Sequence, residues 1–420
     1  MTKVMRVLRW GLWSVVAMSL LATIGWTGLN WMGTRRLANV METLRKANHP
    51  LTVEQLAPPG VRSEENAAPL YHAALAVISH PENPRRFDLM SLARKGLDPL
   101  SGEEKAALRS LLGENAEALS LAERGAARPK SRWADSYYSV SYASGPKDSN
   151  MYYLIVYVAC RAHFEILDGR PEAARKSVAI LLAIARALRR EPLWLLQAYC
   201  AFAVELAVAV ADKAVARDTP VEELGKWQLL LPQSEEFRGR GAFAARCLLV
   251  EMADFMALSP DRMWGAMRER NPRRPQRVPL WMLHPLIKRE GARRLELLAR
   301  GIGACQRPDW EAEGALAEIE RESPPVPKWL WGLPNFAGRL KREFDRSKEI
   351  EARIAVARAG LWCEAVRAGT GKYPDRLGLI DPITGRDLTY EPDDGLIWSG
   401  GSRPRKDAFK DEIAWRLRAK

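Results

Sequence analysis

"WGLWSVVAMSLLATIGWTGLNWMGT", residues 10–34, is a run of 25 residues without a charged side chain. As an α-helix it extends about 37 Å, which exceeds the bilayer hydrocarbon core of about 30 Å. Two arginines precede the run and two follow it. We therefore predict a transmembrane anchor over 10–34. The side chains expected at the membrane interfaces are the tryptophans near its two ends, Trp10, Trp13, Trp26 and Trp31.

A cleaved signal peptide is the alternative interpretation of this segment. Signal peptides have a shorter apolar region that ends at a small-x-small site, and no such site stands out before Arg35. We therefore favour an uncleaved anchor in the inner (cytoplasmic) membrane. The short basic tail, 1–9, would stay in the cytoplasm and the large domain would face outward. Charge adds little to this orientation, because three Lys/Arg flank one side and four flank the other.

A later apolar stretch, "AYCAFAVELAVAVA" at 198–211, is too short to cross a bilayer and contains a glutamate. It belongs to a strongly helical block between 151 and 216. Within that block Gly169 suits a helix C-cap and Pro171 suits the first turn of the next helix. We predict two or three packed helices here, as part of an α-helical body over 35–322.

The net charge of +13 is concentrated in two segments. Residues 1–50 carry a net charge of +6 and residues 261–300 a net charge of +7, so the rest of the chain is neutral as a whole. Proteins that coat nucleic acid instead present an extended basic surface. We therefore expect no nucleic-acid partner, but a membrane-proximal segment and one local basic patch.

The second basic segment encloses the apolar stretch "VPLWMLHPLI" at 278–287. Trp281, Met282, Leu286 and Ile287 could enter a membrane interface while flanking cations meet anionic lipid. The alternative is a solvated helix face with apolar side chains turned to the core. The candidate contacts with an anionic surface are Arg273, Arg274, Arg277, Lys288, Arg289, Arg293 and Arg294.

The carboxy-terminal segment, 335–420, has a different pattern. Apolar residues recur at helical spacing from Phe336 and predict an amphipathic helix of about 33 residues that stops at "GTG". "DLTY" and "LIWS" then flank "EPDDG", a hairpin signal, and "EIAWRL" offers a third strand. We predict a mainly α protein that ends in a small α+β module, a long helix across a two- or three-stranded antiparallel sheet.

This module resembles the carboxy-terminal part of type II secretion pseudopilins. It is also similar to a tail found in many uncharacterised membrane-anchored bacterial proteins. The resemblance implies the α+β module and offers a secretion-system component as an alternative function. The residues that carry it are Gly371, Tyr373, Pro374, Asp381, Pro382, Thr384, Gly385, Leu388, Tyr390, Gly395, Ser399 and Gly400.

Two positions depart from the pseudopilin pattern. A pseudopilin has a glutamate five residues into its apolar segment, where this chain has Val16. The acidic calcium loop that often follows the last hairpin reads "GGSRPRKDAFKDE" here, at 400–412. Its interleaved cations oppose binding of calcium. We therefore expect neither prepilin processing nor a bound metal.

No recognisable catalytic or cofactor-binding motif occurs in the sequence. HExxH, GxSxG, a P-loop and GxGxxG are all absent. The five cysteines are 40 to 58 residues apart, mostly in apolar runs, which favours buried free thiols. We expect an envelope protein with an interaction or scaffolding role, without catalysis or cofactor, whose partners are the bilayer and another envelope protein. An enzyme with a site assembled from scattered residues is the other alternative.

Overall fold

The computed structural model is mainly helical and carries one small antiparallel sheet, as the sequence predicts. It describes residues 3–80, 88–98, 100–133, 149–192, 194–216, 221–233, 239–259, 262–263, 280–307, 309–323, 336–400 and 413–417.

The described residues form thirteen α-helices. In chain order α1 to α13 are Lys3–Lys46, Ala68–Val77, Leu89–Lys95, Gly102–Glu114, Ala116–Ala126, Ser149–Leu167, Pro171–Arg189, Trp194–Ala216, Val221–Leu230, Arg240–Ala257, Leu280–Ala304, Asp309–Glu322 and Phe336–Thr370.

The first helix, α1, is continuous from the apolar run into the charged sequence that follows it. Hydroxyl groups along it donate to the carbonyl four residues earlier, as Ser14 does to Trp10 at 2.9 Å and Thr23 to Ser19 at 2.8 Å. These bonds satisfy polar groups inside the helix. The helix ends where Asn48 adopts a left-handed φ of 56°. Among the described residues it is the one helix long and apolar enough to span a membrane.

The predicted helical block is confirmed by α6, α7 and α8. Gly169 has a φ of 69° after α6, and Pro171 begins α7, so both residues have the roles their chemistry suggests. The apolar stretch 198–211 lies in α8 and is mostly buried, as expected. Its glutamate, Glu205, reaches the edge and pairs with Arg94 of α3 at 2.8 Å.

The long helix α13 is also confirmed. One side of it joins the main core formed by α2–α9, and its first part joins a second core with the end of α1, α10, α11 and α12. A large apolar face along 35 residues therefore links the two cores.

The sheet lies against the carboxy-terminal half of α13. Strands β1, Thr389–Glu391, β2, Leu396–Trp398, and β3, Ala414–Arg416, pair antiparallel in that order. Gly395 supplies the positive φ of 61° that the tight turn between β1 and β2 requires. The strands β2 and β3 of this sheet contact α13.

Gly360 of α13 lets the sheet approach closely. A Cβ placed on this glycine would lie 2.4 Å from atoms of the Trp415 indole on β3, closer than van der Waals contact allows. Trp415 is buried, and Ile397 of β2 is buried beside it in the main core. The sheet therefore contributes to the main hydrophobic core of the helical body.

Candidate functional site

The candidate functional site is formed by the pair of helices α1 and α11. The apolar side chains of α1 from Trp10 to Met32 are largely exposed, but from Gly33 onward one face of the helix is covered by α11. A Cβ on Gly33 would lie 2.8 Å from the carbonyl oxygen of Pro285. Glycine is therefore required for the two backbones to approach this closely.

Polar contacts fix the register of this pair. Lys288 Nζ donates to Thr34 Oγ1 at 2.9 Å, and the Arg36 guanidinium pairs with Glu296 at 3.2 Å. Farther along, Val40 and Leu44 enter the second core together with apolar residues of α11. Contacts at increasing residue numbers on both helices show that α1 and α11 run parallel.

A groove of about 620 Å³ follows the seam between the two helices. Its walls are mainly apolar, with Trp31 and Met32 at one end and Val40 and Leu44 farther along. Arg35 lies at the end near Trp31, where its guanidinium carbon is 5.1 Å from the centre of the indole ring.

A polar cleft of about 820 Å³ lies beyond the end of α1. It is lined by Arg45, His49 and Arg246, with Ile302 and Gln306 of the α11 region opposite. Burial and the neighbouring Arg246 lower the pKa of His49, so this imidazole is neutral at pH 7. The lining is cationic, but Arg45 is already paired with Glu42 at 2.5 Å.

The predicted membrane-interface tryptophans all lie on α1. Trp10, Trp13 and Trp31 are exposed, and Trp26 is half-buried. Trp10 and Trp31 are 21 residues apart, which corresponds to about 32 Å along a helix. That separation matches the thickness of a bilayer core.

The predicted basic patch divides into surface and buried residues. Arg289 and Arg293 are exposed on α11, and Lys288 is half-buried against α1. Arg294 is 3% exposed and pairs with Glu290 at 2.8 Å, so it faces the interior and cannot contact an anionic surface. Ile287 is likewise buried in the second core. The other predicted contacts, Arg273, Arg274 and Arg277, lie outside the described residues.

Asp381 of the module signature organises a loop. Its buried carboxylate accepts hydrogen bonds from Thr384 Oγ1, Ser399 Oγ and the backbone N–H groups of Ile383 and Gly400, at 2.5 to 2.9 Å. Such a buried, fully bonded carboxylate holds loop geometry, since every acceptor site is occupied by the protein itself.

The other signature residues also have structural roles. Gly371 and Gly385 have positive φ values of 77° and 68°, which explains glycine at both positions. Tyr373 donates from its hydroxyl to Glu364 Oε1 at 2.9 Å. Pro374, Pro382 and Tyr390 are half-buried in the same region. The segment 401–412, where pseudopilins often carry a calcium loop and where we expect no metal, lies outside the described residues.

Sequence patterns gave no sign of a buried charged network between α10 and α13. Arg240 is almost fully buried, donates to the Gln197 carbonyl and lies 3.8 Å from Glu343. Burial lowers the pKa of this arginine. Lys348 of α13 pairs with Glu313 of α12 at 3.1 Å. A charged residue on the apolar face of a helix is the only signal that could have indicated this network.

The histidines and thiols are placed as packing residues. His163 is buried with Nε2 2.9 Å from the Ala93 carbonyl oxygen, and burial lowers its pKa to about 4. All five cysteines are free and buried, and burial raises the pKa of the Cys160 thiol to about 12. Within the described residues, no group of three or more His, Cys, Asp or Glu side chains is arranged to hold a metal.

Comparisons with protein-family models, curated proteins and solved structures gave no match for this chain. The likeness of the last segment to pseudopilins therefore stays a prediction based on its own residues.

Proposed function

We propose that this chain is a single-pass protein of the inner membrane whose helical body acts as an interaction platform or scaffold in the cell envelope, without catalysis. The tail 1–9 lies in the cytoplasm, and the body lies on the opposite, outward-facing side of the membrane. This is the usual arrangement for a short tail followed by an anchor and a large domain.

The supporting observation is the continuity of α1. The same helix that exposes apolar side chains over residues 10–32 is packed against α11 from Gly33 to its end. A continuous, side-packed helix has no flexible linker at the boundary. The body is therefore held at a fixed height and orientation above the bilayer, which suits a protein that positions a partner.

Two exposed apolar side chains mark places where such a partner could bind. Leu229 on α9 is 84% exposed and Ile380 beside the Asp381 loop is 58% exposed. Single exposed apolar residues are common on protein surfaces, so neither defines an interface alone. They are, however, the best positions from which to capture a neighbour.

In-cell photo-crosslinking of the full-length protein tests this role. A photoreactive residue is placed at Leu229 or Ile380, and at the exposed, polar Glu172 as a control. We expect one of the apolar positions to give an adduct with a defined envelope protein that the control does not give. The same adducts from all three positions would contradict a specific interaction surface.

A pseudopilin-related secretion component is the second candidate. The arrangement of α13 across a three-stranded antiparallel sheet, together with the Asp381 loop, favours it. A processed amino terminus and co-purification with secretion-machinery subunits would support this candidate. Recovery of the intact Met1–Trp26 segment in purified protein would oppose it.

A further inference from the structure

The contact between α1 and α11 fixes the height of every residue of α11 relative to the anchor. Gly33 lies beside Pro285, and Thr34 binds Lys288. Because the helices run parallel with a rise of about 1.5 Å per residue, α11 starts about 8 Å below the level of Gly33. That start, Leu280, is therefore level with the last turns of the anchor.

We propose that the amino-terminal end of α11 is a second membrane contact, which inserts beside the anchor and meets anionic lipid headgroups. This inference rests on the proposed membrane anchor. The anchor helix is about 7 Å longer than the hydrocarbon core. Its last turn therefore lies in the interfacial layer, and the second turn of α11, which is level with it, lies there too.

The exposed face of α11 has the order of side chains that such a contact needs. Residues at alternating spacings of three and four form one exposed stripe, Leu286, Arg289, Arg293, Glu296 and Arg300. The apolar member comes first, at the level of Thr34, and cations follow about 4 and 10 Å farther out. Apolar side chains at the acyl boundary followed by cations at headgroup height are typical of interfacial helices.

The cations differ in how free they are to bind lipid. Arg293 donates to the carbonyl oxygen of Glu322 at 2.7 Å, and Arg300 pairs with the Glu322 carboxylate. Within the described part of the chain, Arg289 makes no ion pair or hydrogen bond. Arg35 on α1 has the Trp31 ring as its partner. Arg289 is therefore the cation available for headgroup phosphates.

A lipid surface explains this face better than a protein partner does. The exposed Leu286 directly follows Pro285, which contacts Gly33 at the end of the exposed apolar run of α1. A protein covering Leu286 would have to occupy the same layer as lipid. The occupant to which the geometry points is therefore the bilayer, with anionic lipid at Arg289.

A depth measurement on the reconstituted full-length protein tests the insertion. Single cysteines replace Leu286 and, as a solvent control, Leu229, which is a strongly exposed leucine on α9. Met18→Cys, inside the anchor, is the positive control. Each is labelled with an environment-sensitive dye, since the five native thiols are buried. Lipids with a nitroxide near the headgroup or deep in the acyl chain then report depth.

We expect the label at Leu286→Cys to be quenched by the shallow nitroxide at least about threefold more than the label at Leu229→Cys. If the Leu286 label behaves like the Leu229 label while the Met18 label is quenched by the deep nitroxide, the inference is wrong and the anchor stands. If the Met18 label is not quenched either, both the anchor and the inference fail.

A charge reversal tests the lipid class. Vesicles contain headgroup-spin-labelled phosphatidylserine or phosphatidylcholine, and quenching of the Leu286→Cys label by the two is compared. One arginine near an anionic surface predicts a preference of about fivefold for the anionic lipid. Arg289→Glu should abolish this preference, and Arg62→Glu, at an exposed arginine on the body, should preserve it. Equal quenching by both lipids in the unmodified background would overturn the anionic part of the proposal.

Discussion

The helices α1 and α8 are both apolar, yet their surroundings are opposite. Leu20 and Leu21 of α1 are more than 60% exposed, whereas Val204 and Leu206 of α8 are fully buried. The stretch of α8 at 198–211 is rich in alanine, which lets α6, α7 and α13 pack closely around it. The run in α1 carries Trp, Leu and Met, and in the described part of the structure its residues from Trp10 to Ile24 are exposed. The exposed helix therefore differs from the buried core helix by its larger side chains and its longer uncharged run, more than by its mean hydropathy.

The largest expected difference comes from one aspartate in each helix. Val204→Asp buries a charge without a partner, which costs several kcal/mol and removes most of a stability of about 5–15 kcal/mol. Leu20→Asp should leave the unfolding temperature of the detergent-solubilised body unchanged but weaken membrane insertion by about 3 kcal/mol. Thermal unfolding and membrane fractionation measure the two effects. Equal loss of thermal stability in both variants would show that the surroundings of the two helices are not opposite.

His163 is buried beside α8, and this burial predicts that the free energy of unfolding depends on pH. The folded pKa is about 4 and the unfolded value is 6.5, so between them only the unfolded chain binds the proton. The free energy of unfolding therefore falls as pH drops from 6.5 towards 4, by about 3 kcal/mol in total.

Thermal unfolding at pH 7 and pH 4.5 measures the His163 effect. His163→Gln keeps a donor to the Ala93 carbonyl but cannot take up the proton, so its loss of stability on acidification should be smaller than that of the unmodified protein. His72→Gln, at a histidine bonded to the Trp133 carbonyl near the surface, is the matched control. The same loss in the His163 variant and the unmodified protein would show that this group does not contribute.

Two glycines of α1 mark the point where the helix changes from exposed to packed against α11. Gly33→Ala places a Cβ against the Pro285 carbonyl and should destabilise the protein by about 1–2 kcal/mol. Gly28 has nothing within 4 Å, and Gly28→Ala should be neutral or stabilising by about 0.5–1 kcal/mol. Unfolding temperatures in detergent check both values. A neutral Gly33→Ala would mean that α1 and α11 are not in close contact.

The smallest expected effect concerns the native thiols, which should not react with a thiol reagent in the folded protein. Cys200 lies in α8, and burial raises the pKa of its thiol. A hydrophilic maleimide should therefore leave all five native thiols unmodified in the folded protein and label them after unfolding. Leu229→Cys, on the surface, reacts in the folded protein and is the control. Rapid labelling of Cys200 in the folded state would show that the environment of α8 is not closed.

Local patterns predicted much of the fold. The uncharged run of α1, the caps at Gly169 and Pro171, the length of α13 and the strands around Gly395 all depend on neighbouring residues in the sequence. Their physical causes are periodicity, capping and turn chemistry, which act over a few residues. These elements are therefore predictable without knowledge of the tertiary packing.

The candidate site is formed by contacts between residues that are far apart in the sequence, and local spacing does not predict such contacts. Lys288 binds Thr34 across 254 positions, and no local pattern predicts that pairing. Arg293 and Arg294 are equivalent in the sequence, but adjacent residues point about 100° apart on a helix. One therefore reaches the surface and the other pairs with Glu290 inside. Such choices are decided by tertiary packing.

Extraction of the native protein from cell membranes tests whether residues 10–34 hold the body at the bilayer. We expect the full-length protein to stay in the membrane pellet after high-salt and alkaline carbonate washes and to dissolve only with detergent. Recovery of the intact chain in the soluble fraction without detergent would contradict it.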